Sequence, residues 1–339
     1  MKKKRALVGL LTAGLLMASL LTGCGGTNSA AADAKKEVPE YPVKPIDYIV
    51  PNAAGGGTDI CARAIAEYVS KEWGQPVNVI NKPGAGGATG TQEVLKQAKN
   101  DGYTVLAANM SNASTLLASS TSLPYKFEDF AFIAQVVQDP LCFVVKEDAP
   151  WKDLKELSEW VKENPDQLTY TTSGATAIST FAVAEWLDAI GVDFSKARMV
   201  VTTGAADSIP KVAGGHVVLA VQSVGESANM VNAGKVKMIA VQSEKRSQYF
   251  PDVPTVKESG IEMKAMWWTG VAGRTGTPDY IVKKWEETLA KAAQDPAFID
   301  KLKKINAESA YLNSEDFANM AKSEVERYSE IAVDKGLRK

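Results

Sequence analysis

A glycine-rich turn is the stretch of this sequence whose residue types are best suited to binding a ligand. Gly55, Gly56 and Gly57 follow an apolar run at residues 46–50 and precede Thr58 and Asp59, where a helical pattern begins. Glycine lets a ligand come close to the main chain, and the start of a helix offers unpaired N–H groups and a partial positive charge. We therefore expect an anion site made of backbone, with Thr58 or Asp59 as the helix N-cap.

The alternative interpretation of this turn is an ordinary loop followed by a helix cap. It is neither a P-loop nor a dinucleotide-binding turn, because no Gly-Lys-Ser/Thr follows and Thr58 and Asp59 stand where the second motif requires a glycine. A second glycine-rich turn at residues 81–90 favours the binding site. It follows a strand pattern at 77–80 and opens a helical pattern at 91–99, so both turns are expected to share one crevice beside the strand ends.

The first 23 residues have the features of an export signal. Residues 2–5 are basic, residues 6–21 are apolar but too short for a comfortable membrane span, and Leu21-Thr22-Gly23-Cys24 follows. This ending resembles the bacterial lipoprotein signal, in which the cysteine thiol takes a diacylglycerol and becomes the new N-terminus; an ordinary signal with a chance cysteine is the alternative. Residues 24–40 have almost nothing to bury and are expected to form a flexible tether. We expect a protein outside the cytoplasm, held to a membrane by lipid.

The composition argues against several classes of function. The chain of 339 residues has a formal net charge of −2, and loss of the basic signal makes it more acidic, so nucleic acid is not an expected partner. His216 is the single histidine, and besides Cys24 the cysteines are Cys61 and Cys142. A metal site, a cofactor and a Ser-His-Asp triad are therefore not expected. Cys61 and Cys142 are expected to be small buried residues, with a disulfide between them as the alternative.

Strand and helix patterns alternate from residue 41 onward, in two blocks with similar turns. The strand patterns lie at 46–50, 77–80, 103–108, 130–137, 141–145, 168–171, 198–201, 217–221, 236–241 and 269–272. Such alternation predicts parallel strands flanked by helices. We predict an α/β fold with two lobes, each a mixed sheet flanked by helices. Lobe 1 would contain residues 41–140 and 268–339, and lobe 2 residues 141–267, so that the chain crosses between the lobes twice.

The small-residue turns of the two lobes are expected to face each other across a cleft. The candidate ligand-binding residues are Ala53, Ala54, Gly55, Gly56, Gly57, Thr58, Asp59, Ala85, Gly86, Gly87, Ser111, Ser173, Gly174, Ala175, Thr176, Thr203, Gly204, Ala205 and Ser223. They offer N–H groups, hydroxyls and helix starts and hardly any basic side chain. An organic carboxylate suits such a site, because charge-assisted N–H···O⁻ bonds are about twice as strong as neutral ones.

Three further side chains near this cleft have two interpretations each. Asp59 is either a general base or a helix cap, and the cap is the expected role. Trp267 and Trp268 either stack on a ligand ring or pack in the core or hinge, and packing is expected for at least one of them.

The chain resembles the extracytoplasmic receptors of tripartite tricarboxylate transporters, also called the Bordetella-uptake-gene family, from residue 41 to the C-terminus. The resemblance depends on several short motifs. They are Tyr41-Pro42-x-Lys44-Pro45-Ile46, Val50-Pro51-x-Ala53-x-Gly55-Gly56-x-Thr58-Asp59-Ile60-x-Ala62-Arg63, Asn81-Lys82-Pro83-Gly84-Ala85-Gly86-Gly87, Asp101-Gly102-Tyr103-Thr104, Gly214-Gly215-x-Val217, Ala233-Gly234-Lys235 and Pro251-Asp252-Val253-Pro254-Thr255.

The resemblance implies a type II periplasmic-binding-protein fold with a closing cleft that takes mono-, di- or tricarboxylates. One carboxylate would be held by the first two glycine-rich turns, and lobe 2 would select the rest of the ligand. The loaded receptor, a monomer, would pass its ligand to a membrane permease made of a large and a small subunit. Val218, Gln222-Ser223 and the turn at 202–205 depart from the family pattern, so the selectivity of lobe 2 does not carry over.

Two other functions remain open at this stage. The first is a sensory receptor that presents its ligand to a two-component kinase, which the sequence does not separate from transport. The second is an enzyme on the same scaffold, because fold does not fix function; the lack of a nucleophile–base pair argues against it.

Overall fold

Ten strands and ten α-helices, with several short 3₁₀ and π turns, are formed by residues 39–338, the part of the chain described by the computed structural model. The strands are β1 (Ile46–Val50), β2 (Val77–Asn81), β3 (Thr104–Asn109), β4 (Phe130–Lys146), β5 (Thr169–Thr172), β6 (Arg198–Val201), β7 (Leu219–Ser223), β8 (Val236–Val241), β9 (Met266–Arg274) and β10 (Glu308–Leu312). The predicted signal, Cys24 and nearly all of the predicted tether lie outside the described residues.

Helices connect and flank these strands. They are α1 (Gly57–Trp73), α2 (Ala88–Gln92), α3 (Leu116–Ser119), α4 (Leu154–Glu163), α5 (Ile178–Ala189), α6 (Ala205–Ala213), α7 (Val224–Asn232), α8 (Asp279–Ala292), α9 (Pro296–Lys303) and α10 (Ser314–Asp334). Every helix within residues 39–338 falls short of the length and apolar content that a membrane crossing requires.

The strands form a mixed sheet, as the sequence predicted. Parallel pairing places β1 between β2 and β3, and β5 between β6 and β7. Antiparallel pairing of β3 with β9, of β9 with β4 and of β4 with β7 joins the two parallel groups. The strand order is β2-β1-β3-β9-β4-β7-β5-β6, with β8 and β10 also paired to β4. The parallel order that the alternation predicted therefore holds only within each group.

Strand β4 is the element shared by the two halves of the sheet. Its 17 residues run without interruption, so the prediction of two strands separated by Asp139-Pro140 was wrong. Proline is tolerated in a strand where its missing N–H is not needed, and Pro140 sits where β4 changes partners. Pro140 is the last residue aligned with β9, opposite Met266, whereas Leu141 is aligned with Ser223 of β7.

Helix α10 packs against both halves of the sheet. Its Phe317 ring lies 5.0 Å from the ring of Phe132 in β4, and its Tyr328 ring lies 5.0 Å from that of Phe181 in α5. All four side chains are buried, and each contributes about 1.5–3 kcal/mol when fully withdrawn from water. The C-terminal helix is thus a structural link between the two groups of strands.

Helix α7 and strand β10 were not predicted from the sequence. Residues 224–232 read Val-Gly-Glu-Ser-Ala-Asn-Met-Val-Asn, in which glycine, serine and asparagine obscure the helical pattern. The side chain of Ser223 caps the helix by accepting from the Glu226 N–H at 3.3 Å. Asn313 caps the last helix, α10, by accepting from the Asp316 N–H at 2.8 Å.

The two cysteines in the described part of the chain are buried free thiols. Cys61 lies in α1 and Cys142 in β4, and no disulfide joins them. The expectation of small buried residues is confirmed, and the alternative of a disulfide is not. His216, in the turn after α6, is exposed.

Candidate ligand-binding site

Two adjoining cavities, of about 570 and 250 Å³, open between the turns that precede α1 and α6. Both volumes belong to one cleft, because the same residues form the wall between them. The shared wall consists of Asn52, Gly56, Gly57, Gly204, Ala205, Ser223, Glu226 and Trp267. The larger cavity has the size of a typical small-molecule site.

The first wall of the cleft is the start of α1. Gly56 is the N-cap residue, with φ −79°, and no side chain caps the helix. Ile60 is the first residue whose amide makes the regular helical bond, to the Gly56 carbonyl at 3.0 Å. The N–H groups that precede Ile60 in the first turn make no hydrogen bond within the helix. They lie at its N-terminal end, where an anion would be stabilised.

Asp59 fixes this turn, although it is not the N-cap that the sequence predicted. It is the third residue of α1 and only 2% exposed. Its carboxylate accepts from the Gly55 N–H at 2.9 Å, from Arg63 Nε at 3.0 Å and from Asn81 Nδ2 at 2.9 Å. Although burial works against ionisation, these hydrogen bonds hold the pKa of Asp59 below its usual value. Asp59 is therefore ionised at neutral pH and organises the loop, and it lines neither cavity.

The opposite wall repeats the same arrangement at the start of α6. Gly204, with φ 135°, is the N-cap residue, and again no side chain caps the helix. Asp207, the third residue of α6, accepts from the Thr203 N–H at 3.3 Å. The hydrogen bond with Lys211 is the main cause of the lowered pKa of Asp207, and the hydrogen bond from the Thr203 N–H lowers this pKa further. The positive φ of Gly204 is one that glycine adopts readily, so this turn requires a glycine at position 204.

A short spacing common to both turns is a signal that the sequence analysis missed. Each has a glycine N-cap, an aspartate three residues later that bonds the amide before the cap, and a basic partner four residues after the aspartate. The two instances are Gly56, Asp59 and Arg63, and Gly204, Asp207 and Lys211. Helix α6 thus begins directly after Gly204, at Ala205.

The predicted site residues fall into two groups. Those that line one or both cavities are Ala53, Ala54, Gly55, Gly56, Gly57, Thr58, Ser111, Ser173, Thr203, Gly204, Ala205 and Ser223. Those that line neither are Asp59, Ala85, Gly86, Gly87, Gly174, Ala175 and Thr176. The structure thus brings the first glycine turn and the turn before α6 together at the cleft.

The second glycine-rich turn lies behind the cleft wall. Gly86 accepts through its carbonyl from Ser111 Oγ at 3.2 Å, and a Cβ atom on Gly87 would lie 3.6 Å from Pro51. Asn52, which does line the cleft, accepts from Asn109 Nδ2 at 2.8 Å. The second turn therefore supports the first one, and in this structure it contributes no surface to either cavity.

The two adjacent tryptophans have different surroundings. Trp268 is 1% exposed and donates from Nε1 to Glu324 Oε2 at 2.9 Å, so it is a core residue. Trp267 lines both cavities, and a Cβ atom on Gly57 would lie 3.4 Å from its ring. Their alternation follows from the β-strand, whose successive side chains point to opposite faces.

The titratable side chains of the cleft are acids. Among the described residues that line either cavity, none is Lys, Arg or His, whereas Asp139 and Glu226 are carboxylic acids. These two acids were not among the predicted site residues, because the strand patterns leave Asp139 in a loop and Glu226 in no element. Within residues 39–338, no three His, Cys, Asp or Glu side chains come together to hold a metal ion.

Comparison with known proteins identifies the family. A model of the "Tripartite tricarboxylate transporter family receptor" matches residues 61–337. The "UPF0065 protein in gbd 5'region" of Cupriavidus necator is 33% identical over 311 residues, covering 91% of this chain and 93% of that protein.

Solved structures give the same result. The periplasmic binding protein BugD is 32% identical, with a TM-score of 0.74 over 88% of this chain and 99% of its own. Rpa4515 of R. palustris, solved with adipate, is 25% identical with a TM-score of 0.78, over 88% and 99%. MatC of Rhodopseudomonas palustris, solved with bound malate, is 25% identical with a TM-score of 0.74, over 86% and 100%.

The fold is thus that of periplasmic binding proteins, the family is one of solute receptors that act outside the cytoplasm, and two of the similar structures contain carboxylates. This chain belongs to the receptor family of the tripartite tricarboxylate transporters.

Proposed function

We propose that this protein is the solute-binding receptor of a tripartite tricarboxylate transporter and that it holds an organic carboxylate in the cleft between α1 and α6. The observation that carries the proposal is the pair of helix starts at Gly56 and Gly204, which have no side-chain caps and line the same cavity. Main-chain N–H groups and helix dipoles stabilise an anion there without a basic side chain. The bound adipate and malate of the two similar structures agree with this chemistry.

The remaining parts of the proposal concern movement and partners. We propose lobe 1 as residues 41–140 and 268–339 and lobe 2 as residues 141–267, because β4 changes its pairing partner between Pro140 and Leu141. The lobes close on the ligand by a hinge motion. The loaded receptor then delivers the ligand to the large and small permease subunits, while a lipid on Cys24 keeps it at the outer face of the membrane.

A thermal-shift screen of the purified protein against mono-, di- and tricarboxylates tests the proposed function. A ligand at a hundredfold excess over its dissociation constant stabilises the folded state by about 2.7 kcal/mol, so the melting temperature should rise by several degrees. The matched control is the methyl ester of each acid that gives a shift, because the ester has a similar shape and no carboxylate charge. A flat response to every acid, or equal shifts with acids and esters, would contradict the proposal.

A further inference from the structure

Two residues of α10 hold the segment that carries Trp267 in the cleft wall. Glu324 accepts through Oε2 from the indole Nε1 of Trp268 at 2.9 Å. One turn further along the helix, Arg327 donates from Nη1 to the carbonyl oxygen of Lys264 at 2.8 Å. Trp267 lies between these two attachment points, so α10 fixes the chain on both sides of it.

This segment is also where the chain returns from the second proposed lobe to the first. The proposed boundary falls between Trp267 and Trp268, which are consecutive in β9 and therefore point to opposite faces of the strand. Trp267 faces the cleft, where it lines both cavities. Trp268 faces α10, where its ring meets that of Phe317 edge-on, with 5.3 Å between the ring centres. A shift of Trp268 would therefore displace Trp267 through the backbone that they share.

Glu324 also lies beside the turn Ser111–Thr115, which precedes α3. Ser114 Oγ has no regular hydrogen bond among residues 39–338 and is fully buried. It lies close enough to the Glu324 carboxyl group to lower the pKa of this acid. Ser111, in the same turn, lines the smaller cavity. One carboxyl group thus lies behind two parts of the cleft wall.

The charged and titratable groups beside Glu324 come from two helices. Arg327 and Tyr328 belong to α10 itself, and Glu185 belongs to α5. Arg327 forms an ion pair with Glu185 at 3.2 Å, and it donates to the Tyr328 hydroxyl at 2.6 Å. Among the described residues, the carboxyl group of Glu324 therefore has no cation to itself.

We propose that Glu324 is a positioning residue of the binding cleft. It fixes Trp267 through Trp268, and it acts on Ser111 in the same way, through Ser114. This inference rests on the proposed function, because it concerns the walls of the same cleft. Glu324 itself lines neither cavity, so its effect on a solute passes through these neighbours. Walls that are already ordered reduce the cost of binding.

The protonation state of Glu324 changes how it performs this role. Burial raises its pKa to about 7, so the acid is neutral below that pH and ionised above it. The ionised form accepts from Trp268 and attracts the hydroxyl of Ser114, and hydrogen bonds to a charged acceptor are shorter and stronger than neutral ones. The indole of Trp268, and Trp267 with it, should therefore change environment as the pH passes through 7.

Nuclear magnetic resonance of the protein labelled with nitrogen-15 tests the inference without a solute. Each of the seven tryptophans gives one indole N–H signal, and Trp267→Phe and Trp268→Phe assign the two signals of interest. We expect both signals to shift between pH 6 and 8 with a common midpoint near 7. Both shifts should vanish in Glu324→Gln, whose amide still accepts from the indole but does not ionise.

Two further variants separate Glu324 from other acids. Glu326→Gln changes an exposed acid of the same helix and should keep both shifts. Asp139 is aligned with Trp267 across the ladder of β4 and β9, and burial raises its pKa to about 8. Asp139→Asn should therefore keep the midpoint near 7. Signals of Trp267 that titrate alike in the wild type and in Glu324→Gln would overturn the inference.

Solute affinity gives a second readout, with malate and adipate as the probes because two similar structures contain them. Glu324→Met keeps the size of the side chain but leaves the Trp268 N–H without its acceptor. We expect this variant to bind about five- to tenfold more weakly at pH 6, because a loosened wall must be ordered on binding. Glu324→Gln should bind like the wild type, because its amide oxygen still accepts from the indole.

Equal affinity of the Met and Gln variants, both with cooperative melting transitions, would overturn the inference and leave the proposed function intact. The resonance shifts need no solute, so they decide the role of Glu324 whether or not these two acids bind. The carboxylate screen decides the proposed function separately.

Discussion

At the scale of single residues, the cleft depends on the absence of a capping side chain at Gly56 and Gly204. A serine or aspartate at either N-cap would bond the first amides of the helix itself. With glycine there, Asp59 and Asp207 hold the loop from behind by accepting the Gly55 and Thr203 N–H groups. The amides toward the cleft then remain for a ligand.

Gly56→Asp tests the anion site directly. Its φ of −79° suits any residue, and a Cβ atom there would come no closer than 3.6 Å to the Ala53 carbonyl oxygen. The variant should therefore fold with stability within about 0.5 kcal/mol of the wild type. Its carboxylate would cap α1 and repel an anion, so calorimetry should show about a hundredfold loss of affinity.

Gly56→Ala is the control for that substitution, because it adds a Cβ atom without a charge or a hydrogen-bond acceptor. We expect it to bind within a few-fold of the wild type. Full affinity in Gly56→Asp would place the carboxylate of the ligand somewhere other than the start of α1.

The residue scale is also where sequence reasoning was least complete. The glycine turns were recognisable from composition, since runs of glycine before a helical pattern have few uses. The role of Asp59 was not recognisable in this way, because local rules favour a helix cap at this position. Its carboxylate is instead bound by Arg63, which is close in the sequence, and by Asn81, which is distant. Asp139 was assigned to a loop because it precedes a proline, and only the pairing of β4 places it beside α7.

At the scale of elements, β4 and α10 hold the molecule together. Strand patterns at 198–201 and 236–241 were predicted with their observed bounds, since short apolar runs of β-branched residues identify strands well. The continuity of β4 was not predictable, because proline normally ends a strand and the exception depends on the partner across the ladder. Helix α7 was missed because its residues have weak helix propensity and tertiary packing stabilises it.

Glu324 in α10 gives a stability prediction. Burial raises its pKa to about 7 from a usual 4.5, despite the hydrogen bond from Trp268. The folded state therefore favours the protonated acid, and this stabilisation is full below pH 4.5 and is lost as the pH rises to about 7. Glu324→Gln does not ionise, so it should become more stable than the wild type, by about 1–3 kcal/mol at pH 7.5 in urea unfolding.

Glu326→Gln is the matched control for this prediction, because Glu326 is exposed on the same helix. It should follow the wild-type stability at pH 5 and at pH 7.5. Parallel pH dependence of the wild type and Glu324→Gln would show that the pKa of Glu324 is not raised in solution.

At the scale of the whole molecule, the two-group sheet and the family place a solute receptor outside the cytoplasm. The class of fold was predictable from the alternation of elements, and the motifs indicated the family. The lobe boundaries and the lipid on Cys24 stay predictions.

Cys24→Ala tests the anchor. A thioether-linked lipid needs the cysteine thiol, so the variant should move from the membrane fraction to the soluble fraction, and it should lose label when cells are grown with radioactive palmitate. Cys61→Ala removes a thiol that is buried in α1 and should stay with the membranes. Retention of Cys24→Ala in the membrane fraction would contradict a lipid anchor.

The uncapped helix starts affect how such a site can be mapped. Each residue type except proline carries the same main-chain N–H, so replacing Gly56 or Gly57 by alanine removes none of the proposed donors. An alanine scan would detect the side chains that distinguish one solute from another. It would not detect the main-chain N–H groups that bind the carboxylate common to all of them. Finding that point requires changes to the backbone itself, such as a proline or an ester in place of an amide.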